Sequence, residues 1–346
     1  MLKSCLYEVI LDITIVINMN KKWRLGIVGA GSIVESVHIP VLKSFNNLSI
    51  AWIFDANKTR LKQISSMYNL NSIESLNDKD IDEIDCCLIA IPVGSRSMVY
   101  NLLRDKNKKI YVEKPFALTK EFHEELILTM GGDLHIGFQR RFYPWVEILR
   151  SIINSKLYGN LKQIRFSQGV FNLKGGNSFI GNKSLAGGGV IIESAIHGID
   201  IINFITCALD VEVGSFNSVS VDGLDYHSQG HYILSHDNNP DILVEIQISC
   251  LVNFVNGFEF EFETAKLFVD FSPSSELIVV DMLGQSFVFG KTLNKSLDNK
   301  LLVMDSFKKC WKLILSEDKQ SQSFLTNATS SLLTTKLIED LYKFIK

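Results

Sequence analysis

Gly29-Ala30-Gly31-Ser32-Ile33-Val34 directly follows one apolar run and opens a helical one. This is the context in which a G-x-G-x-x-G sequence binds a dinucleotide. The first glycine permits a tight turn and the second lets backbone approach a pyrophosphate, whose charge then rests on the helix N-terminus beside Ser32 and Ile33. Val34 stands where a third glycine or an alanine is usual, which should push helix and strand slightly apart. Asp55 ends the next apolar run, 21 residues beyond Val34, where a carboxylate can accept hydrogen bonds from the adenosine ribose hydroxyls. An acid there repels a 2′-phosphate and so favours NAD over NADP. Lys58 and Arg60, just downstream, could soften that preference.

These residues need a scaffold of alternating strands and helices to hold them. From Trp23 the sequence predicts strands at 23–28, 48–54, 86–91, 109–112 and 134–137. Between them fall helices at 32–45, interrupted by Pro40, and at 58–69, 96–106 and 121–130. Such alternation marks βαβ units and a parallel sheet. After a helix at 145–156 the rhythm changes to longer runs of period two, as at 162–171, 241–250, 258–270 and 276–289, with one helical stretch near 197–207. The chain therefore reads as α/β, in two parts. An N-terminal Rossmann dinucleotide-binding domain (21–139) precedes an α+β domain (140–346) with a large, mostly antiparallel open sheet and an amphipathic terminal helix from 323. Residues 1–20, which include Met19, read as an N-terminal extension peripheral to the fold. An open sheet needs a cover on its far face, so the C-terminal sheet is expected to join copies of the chain in a homo-oligomer, a dimer or tetramer.

Composition narrows the function classes. A chain of 346 residues with 46% hydrophobic and 21% charged residues has ample material for two cores. Thirty-five Lys and Arg against 38 Asp and Glu leave a net charge of -3, so no excess of positive charge exists to track a phosphate backbone, and nucleic acid is not an expected partner. The six cysteines form no CxxC pair and no zinc spacing, which reads as a reducing cytoplasm with no metal site. The apolar run at 6–17 carries Glu8 and Asp12, and no membrane anchor is expected from it.

Two further segments carry the reading past nucleotide binding. Tyr111-Val112-Glu113-Lys114-Pro115 ends a strand of the first domain. Gly187-Gly188-Gly189-Val190-Ile191-Ile192-Glu193-Ser194-Ala195-Ile196-His197-Gly198-Ile199-Asp200 lies early in the second. Taken in order with the glycine loop and with Gly137-Phe138-Gln139-Arg140-Arg141-Phe142-Tyr143-Pro144, they resemble the Gfo/Idh/MocA family, named for glucose-fructose oxidoreductase and inositol dehydrogenase. The resemblance spans about 22–200 in motif and the remainder in layout. It implies that Lys114 is the catalytic lysine, with a cis bond to Pro115, that Glu113 contacts the nicotinamide ribose, and that Pro92 joins the cofactor contacts. It further implies that His197 is the acid/base, with Glu193 in a position usually held by Asp, and that Arg141 and Asp200 lie on the substrate side.

The chemistry of the residue types agrees. Oxidising a secondary alcohol with a nicotinamide needs a group that takes the hydroxyl proton near working pH, and histidine suits that. An ammonium such as Lys114 would stabilise developing alkoxide charge, while Glu193 could orient the imidazole or bind another hydroxyl. The expected activity is hydride transfer between NAD, less readily NADP, and a hydroxyl or keto group of a sugar, polyol or nucleotide sugar. The chain also departs from the family pattern. Ile91-Pro92-Val93-Gly94-Ser95-Arg96 replaces the usual T-P-N-x-x-H, and Ala195 replaces a usual Gly. A regulatory protein that binds nucleotide without turnover and a glycosidase that uses NAD transiently are the other readings. The Gly187–Gly189 triplet reads as a substrate-adjacent loop, with a plain flexible connector as its alternative.

Overall fold

β1 (Trp23–Val28) is buried at five of its six residues, as expected of a strand covered on both faces of a parallel sheet. In the computed structural model, which describes residues 21–130, 133–172, 181–237, 239–289, 298–316 and 323–345, β1 is an inner strand of a doubly wound unit. The expected extension at 1–20 lies outside the described residues. Around β1 run α1 (Ile39–Lys43), β2 (Leu48–Phe54), α2 (Lys58–Tyr68), α3 (Asp78–Asp82), β3 (Cys86–Ile89), α4 (Ser97–Leu103), β4 (Lys109–Val112), α5 (Lys120–Thr129) and β5 (Leu134–Ile136). The five strands are parallel in the order β2-β1-β3-β4-β5. Beyond β2 the chain makes one more parallel bridge, Ile53 with Ser72, fastened by hydrogen bonds from Ile53 N to Asn71 O and from Ile73 N to Ile53 O. Counting this rudimentary strand gives the 3-2-1-4-5-6 order of dinucleotide-binding sheets, whose ligands lie at the strand carboxyl ends where the order reverses. Here that switch point lies between β1 and β3.

The second unit contains α6 (Pro144–Asn154), β6 (Leu161–Gly169), α7 (Lys183–Ala186), α8 (Ile196–Thr206) and seven more strands, β7 (Asp210–Val221), β8 (Leu224–Ser235), β9 (Ile242–Ser249), β10 (Gly257–Phe262), β11 (Ala265–Asp270), β12 (Leu277–Asp281) and β13 (Ser286–Phe289). Its eight strands lie in the order β13-β12-β11-β10-β6-β9-β8-β7, antiparallel except for the β6–β9 pair. The runs expected as single strands at 258–270 and 276–289 are hairpins, turning at residues 263–264 and 282–285. α8 is buried at every residue. A Cβ on Gly198 would come within 2.1 Å of the Phe166 ring, so the missing side chain lets the helix lie directly on β6. The stretch Lys183–Thr206 is long and apolar enough to suit a bilayer by composition, yet it is mostly buried in the fold.

The far face of this sheet differs from the expected bare apolar surface. At its centre Arg165 pairs with Glu245 at 2.9 Å and Glu259 at 2.8 Å, and Lys266 pairs with Glu259 and Glu261, each at 3.2 Å. These are half-exposed pairs of small individual worth, and exposed Ile233, Leu243, Ile278 and Val288 share the face with them. Charged pairs thus interrupt the expected apolar surface.

The chain's third section also departs from the expected boundaries. α9 (Asn299–Ile314), unpredicted from the sequence, is followed by α10 (Ser323–Thr326), a 3-10 turn at Ala328–Ser331 and α11 (Leu332–Tyr342) in place of one terminal helix. Met304–Thr335 packs with the nucleotide unit, while Arg140–Val303 and the residues from Lys336 onward form the other. Burial explains the return, because Phe307, Cys310, Trp311 and Ile314 are almost wholly enclosed, with Trp311 stacked on Tyr111 at a ring separation of 4.9 Å.

Two buried histidines fasten the same section. His123 Nδ1 meets Thr335 Oγ1 at 2.8 Å and its Nε2 donates to Ala328 O at 3.0 Å, while His135 Nδ1 meets Thr326 Oγ1 at 2.8 Å. Burial pushes both imidazoles down to about 4, for His135 with help from the Lys109 charge. Unfolded histidine titrates near 6.5, so the folded state binds fewer protons below that pH and its stability falls as pH drops from about 6.5 to about 4. Each histidine contributes a loss of about 3 kcal/mol across that window. Melting temperatures measured against pH should decline more steeply there in the unaltered protein than in the His123→Asn, His135→Asn double variant. Parallel declines would refute the assignment.

Candidate active site

The turn after β1 has the geometry a dinucleotide needs. Gly29 holds φ at +111°, and a Cβ there would meet the Ala90 carbonyl oxygen at 2.4 Å, so this close crossing at the β1–β3 switch point demands glycine. A Cβ on Gly31 would meet no heavy atom within 4 Å, which leaves its backbone facing open space where a pyrophosphate can approach. Ser32 is exposed and Ile33 half-buried at the start of the following helix, and Val34 is fully buried. That helix opens with a π turn over Val34–His38. The wider winding accommodates Pro40, which has no N–H to give and would crowd the preceding turn of a regular helix.

Asp55 and Arg60 hold this turn from below. Asp55 Oδ2 accepts from Ala30 N at 2.6 Å and Oδ1 from Asn57 N at 2.8 Å. Arg60 Nε donates to Ala30 O at 2.8 Å, and its guanidinium pairs with Glu35 at 2.5 Å. Both backbone groups of Ala30 are thus held by side chains from the β2–α2 corner. Arg60, read from the sequence as a possible softener of the NAD preference, is committed to the turn and to Glu35.

Glu113 and Lys114 leave the carboxyl end of β4, which pairs with β3, and Glu113 N donates to Ile89 O at 2.9 Å. The Lys114–Pro115 peptide is cis, as the resemblance implied. Half-buried Pro92 and Lys114 are at the same sheet edge as the glycine turn. Arg96, noted in the sequence only as a departure, is buried and donates to Ile91 O at 3.0 Å and to Pro115 O. It ties the residue after Lys114 to the end of β3. Replacing Arg96 with Ala should leave two buried carbonyls without their donor and lower the melting temperature by several degrees. Replacing it with Lys should recover only part, since one ammonium does not reproduce the planar fork. A melting curve unchanged in Arg96→Ala would contradict this bracing role.

In the sheet unit, Glu193 lies within a second π turn, Ile191–Ala195, and buried His197 follows in the first turn of α8. π turns inside helices are frequent at functional sites. The preceding glycines are places of close approach rather than a flexible connector, since a Cβ on Gly188 would overlap the Tyr342 hydroxyl and one on Gly189 the Asp225 backbone. Asp225, at the start of β8 and 1% exposed, receives Gly189 N at 2.8 Å, Ile191 N at 2.9 Å and the Tyr342 hydroxyl at 2.5 Å. Burial, reinforced by that carboxylate, drives the Tyr342 phenol well above its usual range. Neither Asp225 nor Tyr342 has a motif that would have flagged it.

Arg141 and Asp200 differ from their expected substrate-side role. Arg141 Nε and Nη2 grip Asp200 at 2.7 and 2.6 Å, and the two side chains are 0% and 1% exposed. A bidentate pair so enclosed braces α8 against the segment before α6 and leaves no side-chain surface for a ligand.

The Gfo/Idh/MocA family model, an oxidoreductase family with an NAD-binding Rossmann fold, matches residues 23–130. Glucose-6-phosphate 3-dehydrogenase of Bacillus subtilis is 25% identical over 145 residues, 41% of each chain. The chain spans about half the length of the curated relatives it matches. Among solved structures, an Agrobacterium radiobacter oxidoreductase in complex with NAD+, L-tartaric acid and magnesium is similar, with a TM-score of 0.73 and 18% identity over 94% of this chain and 96% of that one. A 3-ketoreductase from Actinomadura kijaniata, in complex with NADP and TDP-benzene, also has a TM-score of 0.73, with 14% identity over 93% and 98%. The nucleotide turn at the switch point and Glu113-Lys114-Pro115 at the same sheet edge both fall within residues 23–130, the part of the chain that matches the NAD-binding Rossmann fold of the Gfo/Idh/MocA oxidoreductase family.

Proposed function

We propose that the protein is an NAD-dependent oxidoreductase that interconverts a secondary hydroxyl and a keto group on a sugar, polyol or nucleotide sugar. The observation that carries this reading is the emergence of Lys114 at the carboxyl edge of the same parallel sheet whose glycine turn leaves Gly31 facing open space. Gly29, Gly31, Ser32, Ile33, Asp55, Pro92 and Glu113 would hold the dinucleotide, which when bound supplies the hydride acceptor. Lys114 brings a positive charge that stabilises developing alkoxide. His197 takes the hydroxyl proton in oxidation and returns it in reduction, with Glu193, four residues earlier, orienting the imidazole or binding a second hydroxyl. One relative named as a glucose-6-phosphate 3-dehydrogenase, and a 3-ketoreductase solved with TDP-benzene, support a sugar-like substrate.

The reading of NAD rather than NADP is supported by Asp55, whose carboxylate lies at the β2–α2 corner and would repel a 2′-phosphate there, and by Arg60 being engaged with Ala30 and Glu35. NADH should bind at least about tenfold more tightly than NADPH, and Asp55→Ser should narrow that gap. Titration of both reduced cofactors by fluorescence checks this, and equal or stronger NADPH binding by the unaltered protein would overturn it. The activity itself is tested by offering sugars, sugar acids, inositols and nucleotide sugars with NAD and following reduced-nicotinamide absorbance. Tight cofactor binding without turnover of any of them would favour a regulatory protein of the same fold.

A further inference from the structure

Behind Glu113 lies a chain of hydrogen bonds that begins almost 200 residues further along the sequence. Trp311 Nε1 donates to His38 Nδ1 at 3.2 Å. His38 Nε2 meets Glu113 Oε1 at 2.9 Å, and the Tyr111 hydroxyl donates to the same oxygen at 3.3 Å. An indole nitrogen can only donate, so His38 Nδ1 must be the acceptor and the imidazole hydrogen sits on Nε2, aimed at the carboxylate. His38 has no solvent exposure and is walled by the edges of Tyr111, Phe307 and Trp311, which prevent its ring from turning over. On its other side the Glu113 carboxyl group lies close to Gly137, where a Cβ would stand 3.0 Å from each carboxyl atom. Two donors therefore converge on Oε1 while Gly137 fixes the plane of the group, and this leaves Oε2 as the oxygen available to a ligand.

We infer that His38 and Trp311 are positioning residues for Glu113. Trp311 sets the imidazole tautomer, and His38 hands the carboxylate one fixed orientation at the nucleotide site. This rests on the reading of Glu113 as a cofactor contact, and it gives the returning α9 segment a function beyond filling the core. It also implies that an apolar side chain at position 38 would not substitute for histidine. Hydrocarbon could fill the volume but not donate to Oε1.

The test uses the full chain and NADH binding measured by titration calorimetry, with melting temperature recorded for each variant. His38→Leu should weaken NADH about tenfold, the worth of one charge-assisted hydrogen bond. His38→Gln, whose amide can extend an N–H toward the Nε2 position, should recover most of that loss. In a Glu113→Gln background, His38→Leu should cost little more, because the two residues act as a unit. Additive losses, or a Gln variant that folds yet binds no better than Leu, would overturn the proposal. A second readout needs no cofactor. The indole N–H resonance of Trp311, identified by its disappearance in Trp311→Phe, should shift in Glu113→Gln, since weakening the acceptor depolarises the imidazole between them. A stationary resonance would show that the three residues are not one hydrogen-bonded unit. If the unaltered protein binds no NADH, the reading of the site fails, and the resonance still decides whether the chain of bonds exists.

Discussion

Alanine in place of His197, or of Lys114, should lower kcat by about 10² to 10⁴, the range typical for loss of a positioned acid/base or charge-stabilising group. NADH affinity should stay within a few-fold of the original in His197→Ala, because His197 belongs to the sheet unit while the glycine turn, Asp55 and Glu113 belong to the other. Lys114 follows Glu113 directly, so its alanine variant is expected to lose some cofactor affinity as well as turnover. Glu193→Gln should be milder if the carboxylate only orients its neighbour, and Glu193→Asp should be tolerated, because it restores the residue usual in the family. Steady-state kinetics with NADH titrations on the same preparations separate these effects. Near-normal turnover in His197→Ala would move the base elsewhere.

The nucleotide half was legible in the sequence because its physics is local. A strand buried on both faces needs an unbroken apolar run, as in Cys86–Ile89, and the turn at Gly29 needs a residue without a Cβ. The matching acid, Asp55, must close the next strand. Less was legible where a partner distant in sequence supplies the reason. Ser72 bridges Ile53 as a strand of one residue, too short for any periodicity. β7 and β8 carry polar residues such as Ser215, Asn217, Gln229 and His231 on the open face, with register shifts after Val213 and Val219, and these dilute the alternation that marks a strand. α9 returns to the nucleotide unit because of aromatic packing around His38 and Tyr111, which no local pattern announces. Arg141 and Asp200 were placed on the substrate side by motif, whereas only their spatial pairing reveals a brace.

At Asp225 a contact between residues distant in sequence has the most at stake. The carboxylate faces donors alone, the N–H groups of Gly189 and Ile191 and the Tyr342 hydroxyl, at the entry to the helical turns that carry Glu193 and His197. The first turn of a helix offers unpaired N–H groups and a positive dipole end, so a buried anion is stabilised there and fixes the helix start in return. Removing it leaves Ile191 N–H and the Tyr342 hydroxyl buried without this acceptor, at about 1 to 3 kcal/mol each, while Gly189 N–H keeps only the Tyr342 oxygen at 3.0 Å. Asp225→Ala should therefore lower the melting temperature by roughly 10 °C or more, taking about 2 to 4 °C per kcal/mol for a unit of this size. Asp225→Asn keeps the volume but must turn its NH2 toward one of the N–H groups or toward the tyrosine, so it should lie between Ala and the original rather than near the original. Tyr342→Phe removes one donor to Asp225 and the oxygen that shares the Gly189 N–H, but it leaves Asp225 its two backbone partners, and its loss should be the smallest of the three. Turnover should follow the same order while NADH affinity stays constant, because the disturbed turn belongs to the sheet unit. An Asp225→Asn variant as stable and as active as the unaltered protein would mean that acceptor geometry, not the carboxylate charge, holds the turn, and an unaffected Asp225→Ala variant would dismiss the residue's role altogether.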